Sequence, residues 1–511
     1  MWAVCISCGA APLVRSRPPG RLATFRVRLI SWAKSGSRGT RADQGVRPTI
    51  STGLAVFGRH SAYLVFLLLT GCAPHAPDLS RRNGVIEFPA GTIVLHHELT
   101  IPEHARLLEI RAHPSGTTLR AAADFDGRAL IYAKGASGLR LTGFRIEGNR
   151  AVMRKPVGLP TSDIPFARYY RNNGIVIENS ASVLIRDVSF TAVANYPVLV
   201  SASSGVQIEN VSIENCGSLS PAGRNNASGG ILLEEGTRDF DVRQCTIRRV
   251  PGNGIWTHSF HHSPRNANGI IQENIVEDVA RDAIQVGHAT NITVRGNRGR
   301  RIGYPPDLVD IVSWAVPVAL DTAGNVDKSV YIGNRFEDIN GKCMDLDGFH
   351  DGEIRENSCI SRKSYDEYPW AQFGIVFNNS NPDFEPSNVI VTGNVVDGAG
   401  YGGLYLMGSN QVVTNNQFVG LNRNRCTADR TRPRCDYSAG DPSLLRTGIY
   451  LVPGAARPAK TEHNRVTGNE VSGFGMRKYC VEAAPGVSLA ANSIAGNHCV
   501  DTSPGGAGLR K

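Results

Sequence analysis

Past residue 84 the chain is built of short apolar runs with a two-residue period, each closed by Gly, Asn or Asp. One kind of run reads Val294-Arg-Gly-Asn297, Ile354-Arg-Glu-Asn357, Val391-Thr-Gly-Asn394, Val413-Thr-Asn-Asn416, Val466-Thr-Gly-Asn469 and Leu489-Ala-Ala-Asn492. Alternating with it is a second kind, which includes Gly174-Ile-Val-Ile-Glu178, Gly230-Ile-Leu-Leu-Glu234, Gly254-Ile-Trp-Thr-His258, Cys343-Met-Asp-Leu-Asp347 and Gly374-Ile-Val-Phe-Asn378. Period-2 runs of this length, without a helical 3.6-residue pattern, predict strands and an all-β fold. Such a unit cannot bury its apolar side alone, so it must stack on copies of itself as a solenoid.

Strands stacked in parallel put equivalent residues about 4.8 Å apart, with alternate side chains inward and outward. In the second kind of run the second outward position reads Glu178, Ser201, Glu234, His258, Gly287, Asp321, Asp347 and Asn378. The first outward position reads Val176, Leu199, Leu232, Trp256, Gln285, Ala319, Asp345 and Val376. Titratable residues thus concentrate in the middle of the stack, with Asp321 and Asp347 expected as neighbours, Asp345 in the same patch and His258 about two strands away. These four are the candidate catalytic residues.

Three close carboxylates raise one another's pKa, so they share a proton or hold a cation. A proton-bearing acid beside an anionic one suits glycoside hydrolysis. Calcium on Asp321, Asp345 and Asp347 suits a lyase acting on a uronate, although calcium needs six to eight oxygens. A third possibility is that the acids cap turns and pair with basic neighbours. Trp256, Trp314 and the insert carrying Arg362, Lys363, Tyr365 and Trp370 are the candidate substrate-binding residues, through aromatic stacking and charge. The matching asparagines, from Asn274 and Asn297 to Asn469 and Asn492, are expected to form a buried ladder that bonds turn backbones.

The opening Gly84-Val-Ile-Glu-Phe-Pro-Ala-Gly91-Thr-Ile-Val-Leu95, followed by Leu99-Thr-Ile-Pro102, resembles that of the right-handed parallel β-helix proteins of the pectin-lyase-like superfamily. Together with the repeats, the resemblance runs from about Gly84 to Asn497. It implies a single-stranded right-handed parallel β-helix with long loops inserted between its turns. The superfamily includes lyases, hydrolases, epimerases, depolymerases and adhesins, so the resemblance names no reaction.

Charge and cysteine usage change the picture at the front of the chain. The formal charge is +10, but ten Lys/Arg against the single acid Asp43 give residues 1–72 a charge of +9 and leave the rest near neutral. A nucleic-acid partner therefore loses its electrostatic support. The apolar run ending in Leu69-Thr-Gly-Cys72 reads as a signal core with a lipobox, too short to span a bilayer. It predicts an exported lipoprotein anchored through Cys72, or a secreted protein. The expected division is a leader at 1–72, a linker at 73–83, the β-helix at 84–505 and a tail at 506–511. Export permits disulfides, and the pairs Cys426 with Cys435 and Cys480 with Cys499 are the candidates.

The expected protein is a monomeric, exported enzyme cleaving a polysaccharide, with hydrolysis ahead of elimination or epimerisation. It would need no cofactor, or Ca2+ if it is a lyase, and would meet the membrane only through Cys72. The rival is a non-catalytic β-helix that binds glycan or builds surface structure.

Overall fold

The computed structural model describes residues 79–152, 164–219, 228–309, 316–370, 373–381, 383, 385–427, 435, 441, 443–454 and 457–502. Cys72 and its leader, and Trp314, lie outside these residues.

Every strand pairing among the described residues is parallel, as stacked turns require. One line of strands runs in chain order from Gly91–Leu95 to His498–Asp501. The remaining strands form two further lines, joined at tight corners into one sheet. Each turn of the solenoid, or rung, therefore has three faces. In one rung these are Asn173–Glu178, Ala181–Arg186 and Ser189–Thr191. The first of them belongs to the line that carries the candidate acids, here called the site face.

The interior is built as the alternation predicts. Ile175, Val198, Ile231, Ile255, Ile284, Leu320, Met344, Ile375, Leu404 and Ile449 follow one another in register along the site face, all buried. Full burial of such a side chain contributes about 1.5–3 kcal/mol, and each rung shares its apolar column with two neighbours. The third face supplies rings such as Phe190 and Phe336 to the same core. Gly299 makes room for one of them, since a Cβ there would stand 2.7 Å from the Phe336 ring.

The asparagine ladder occupies the corner between the second and third faces. Asn274, Asn297, Asn334, Asn357, Asn394, Asn416 and Asn469 each donate from Nδ2 to the Oδ1 of the next, at 2.8–3.0 Å. The last acceptor is Asn497. Asn492, expected in this ladder, instead accepts from Asn464 at another corner. Its run, Leu489–Ala491, forms a 3-10 turn rather than a strand.

Disulfides join Cys426 to Cys435 and Cys480 to Cys499. A third, Cys343–Cys359, links the site face to the third face from inside the core. Cys216 and Cys245 are free and buried. Among the described residues no helix is long and apolar enough to cross a membrane.

Candidate active site

The corner that leads into each site-face strand breaks the period-2 rule. Ala283 with Ile284, Ala319 with Leu320, and Cys343 with Met344 are consecutive pairs that both enter the core. Small residues are needed there, since a Cβ on the equivalent Gly254 would stand 2.5 Å from the Ala283 carbonyl oxygen. This moves Asp321 from the expected place. With Ala319 and Leu320 both inward, Asp321 falls in the first outward column, opposite Gln285 on one side and Asp345 on the other. Asp321 is therefore the neighbour of Asp345, not of Asp347, and Ala323 takes the position beside Gly287.

The same corner brings in residues the alternation hides. Lys342, just before the inward pair, forms an ion pair with Asp345. Asp282, one rung line earlier, accepts a 2.9 Å bond from the Val318 N–H and lies 3.6 Å from Arg281. Gln285 Nε2 donates to Asp321 Oδ2 at 2.6 Å, and Asn253 Nδ2 donates to Gln285 Oε1 at 2.7 Å. At the strand end, Ser380 donates to Asp347 from its N–H at 2.6 Å and from its hydroxyl at 2.5 Å.

The acids are buried: Asp321 and Asp345 are each 1% exposed and Asp347 is fully enclosed. Burial pushes the Asp321 carboxyl well above the usual carboxylate range, and the neighbouring Asp282 and Asp345 push it further. Burial likewise raises Asp282 and Asp347 to about 6. Asp321 Oδ1 and Asp345 Oδ1 have no hydrogen-bond partner, so each retains capacity for a substrate group.

This set does not suit calcium. Lys342 already supplies a cation to Asp345, and calcium needs six to eight oxygens. The acids also do not converge: among the described residues, the cluster with three ligand atoms within 4.8 Å of one another is Glu234, Glu235 and His258.

His258 lies apart from the aspartates at the expected spacing, but in the other outward column. It sits in the second outward column beside Glu234, two rungs before Asp321, with its ring 5.1–5.2 Å from Phe166, Trp256 and Phe260. Trp256 is also not presented to solvent. The short helix Phe166–Tyr169 covers the early rungs of the site face, and Trp256 packs against Phe166, edge to face at 5.2 Å.

The expected substrate loop leaves the third face after Ser358–Ile360. Its cations are engaged locally, Arg362 with Asp397 at 2.5 Å and Lys363 with Glu367 at 2.9 Å. Tyr365 and Trp370 are half-buried, and the Trp370 N–H bonds Asn340. Nearby lies an open cleft of about 630 Å³ lined by Arg150, Arg249, Asp278, Tyr304, Pro305 and Leu308 among others, but Asp321, Asp345 and Asp347 do not line it. Its signal in the sequence was the insert Tyr304-Pro-Pro beside basic strand ends.

Comparison with known proteins is consistent with this architecture. Residues 129–304 match the family model described as "Right handed beta helix region". No curated protein matches the chain significantly. Among solved structures, the chain is similar to a periplasmic alginate epimerase, AlgG, at 13% identity and TM-score 0.44, covering 83% of this chain and 79% of that one. It is similar to a DFA-IIIase from Arthrobacter chlorophenolicus at 14% identity and TM-score 0.45, covering 83% and 88%. A surface adhesin of Streptococcus pneumoniae, PfbA, matches at 13% identity and TM-score 0.44, covering 82% and 92%. With its parallel pairings and three stacked faces, the chain is a right-handed parallel β-helix.

Proposed function

We propose that the protein is an exported enzyme that hydrolyses a glycosidic bond of a polysaccharide, with Asp321 as proton donor and Asp345 as the anionic partner. The observation that carries this reading is the asymmetry between two adjacent carboxyls. Asp321 is driven toward its protonated form by burial, while Asp345 is ion-paired to Lys342. A carboxyl held toward its protonated form beside one paired with a lysine is an arrangement that suits glycosidic cleavage. Because both are covered, turnover requires the segments over the site face to open. Export is supported by the three disulfides, which persist in oxidising compartments.

A non-catalytic, glycan-binding β-helix is the second reading. It is favoured by the contrast between the buried acids and the open cleft with Tyr304 and Arg150 on its wall.

Incubating the purified full chain with neutral and acidic polysaccharides, and measuring new reducing ends, separates the two. Asp321→Asn and Asp345→Asn are each expected to slow release at least about 100-fold, measured at a temperature where each variant is shown to be folded. Unchanged release in both variants removes the pair from the chemistry. Products that absorb in the ultraviolet as unsaturated uronates would replace hydrolysis with elimination. Binding without release by the parent would establish the second reading.

A further inference from the structure

The site face carries a second buried polar group, two rungs from the aspartates, that the proposed hydrolysis does not use. Glu234 ends the strand Gly229–Glu234 and lies directly beside His258 on the next strand. Glu235 follows in the turn, held there with φ +54°. One ligand atom from each of the three lies within 4.8 Å of the others. His258 Nδ1 stands 3.9 Å from Glu235 Oε1, and it is buried without a hydrogen-bond partner. His258 as a whole is only 6% exposed. This unpartnered nitrogen shares the enclosed space with two carboxyls.

Among the described residues, neither glutamate forms an ion pair with Lys or Arg; the sole pairing is the one between Glu235 and His258.

The surroundings are those of an oriented ligand set. Glu234 accepts 2.8 Å bonds from the N–H groups of Phe166 and Ala167, one on each oxygen, which fixes its plane and leaves further lone pairs. Glu235 Oε1 accepts from the Phe260 N–H at 3.2 Å. Such supporting bonds hold metal ligands in place, and an apolar wall of Phe166, Trp256 and Phe260 excludes competing water.

We propose that Glu234, Glu235 and His258 form a binding site for one divalent transition-metal ion of the zinc class. One imidazole nitrogen with two carboxylates suits zinc, whereas calcium and magnesium take oxygen-only sets. Closing from 4.8 Å to contact with a common ion requires small side-chain shifts. The inference does not depend on Asp321 or Asp345 being catalytic.

The test uses the full chain, stripped with chelator and then titrated with Zn2+ against a chromophoric competitor, with Co2+ absorption as an independent reading of the ligand field. The parent is expected to bind one equivalent and to gain thermal stability with free Zn2+. His258→Ala and Glu235→Gln are each expected to weaken binding at least 10-fold. No binding by the parent overturns the proposal without recourse to any variant. Equal affinity in parent, His258→Ala and Glu235→Gln also overturns it. Retention in His258→Ala with loss in His261→Ala/His262→Ala assigns the metal to other histidines, and overturns it as well.

Discussion

Asp321 stands directly beside Asp345 on the neighbouring strand, and Lys342 forms its ion pair with Asp345. Adjacent parallel strands are about 4.8 Å apart, too close to leave the gap of about 6.5–9.5 Å in which an inverting enzyme holds its water. If this pair cleaves a glycoside, the product should keep the anomeric configuration of the substrate. Proton NMR of the first sugar released checks this, and an inverted product would exclude the pair.

Lys342 faces a carboxylate that has almost no solvent, so its removal should be costly. Lys342→Met leaves Asp345 buried without its counter-ion and is expected to destabilise the fold by about 3–5 kcal/mol. Adding Asp345→Asn to that variant should restore much of the loss. Urea unfolding of the two single variants and the double variant measures the coupling directly.

Acid should stabilise the site face rather than weaken it. Asp347 and Asp282 are raised to about 6 by burial, above the ordinary value near 3.8. The folded state therefore holds these protons more tightly than the unfolded chain does. Their contribution is fully present below about pH 3.8 and is lost as the pH rises through about 6. For Asp347 alone it is on the order of 3 kcal/mol. Thermal midpoints taken from pH 4 to pH 7 should fall less steeply in Asp347→Asn than in the parent.

The ladder makes a prediction independent of any chemistry. Asn357 donates to Tyr331 O and Asn394 Oδ1 and accepts from Asn334, all at 2.8–3.0 Å. Asn357→Ala strands several buried groups, and each costs about 1–3 kcal/mol. Denaturant unfolding should show a loss of at least about 2 kcal/mol, larger than for Asn492→Ala at the less buried corner.

Much of the fold was legible because the inward columns repeat in plain view: Ile175 and Ile177, Ile231 and Leu233, Met344 and Leu346 each follow the two-residue period. The candidate site was legible only in part. Val318-Ala-Leu-Asp321 has the look of simple alternation, yet Ala319 and Leu320 both turn inward, and this displaced Asp321 by two places. The same corner hid Lys342, whose spacing of three from Asp345 would put it on the opposite side of a regular strand. Burial was not legible at all, since it depends on segments distant in sequence: Phe166 lies over Trp256, and Ser380 closes on Asp347. The Cys343–Cys359 bridge has no local signal in the sequence, because the two residues stand on different faces and meet only across the interior.

The ladder also says where the chain can be lengthened. Most of its links join asparagines 22 to 37 residues apart, but Asn416 bonds Asn469 at the same 2.9 Å across 53. The stack registers only the corners, and is indifferent to how much polypeptide departs between them. A reporter peptide spliced into the Asn416–Asn469 interval should leave the column of amides continuous, whereas one residue added between Asn416 and the strand Gln417–Leu421 would throw every later side chain of that strand onto the wrong side. The protein is thus permissive to grafting in its loops and intolerant at its asparagine edge.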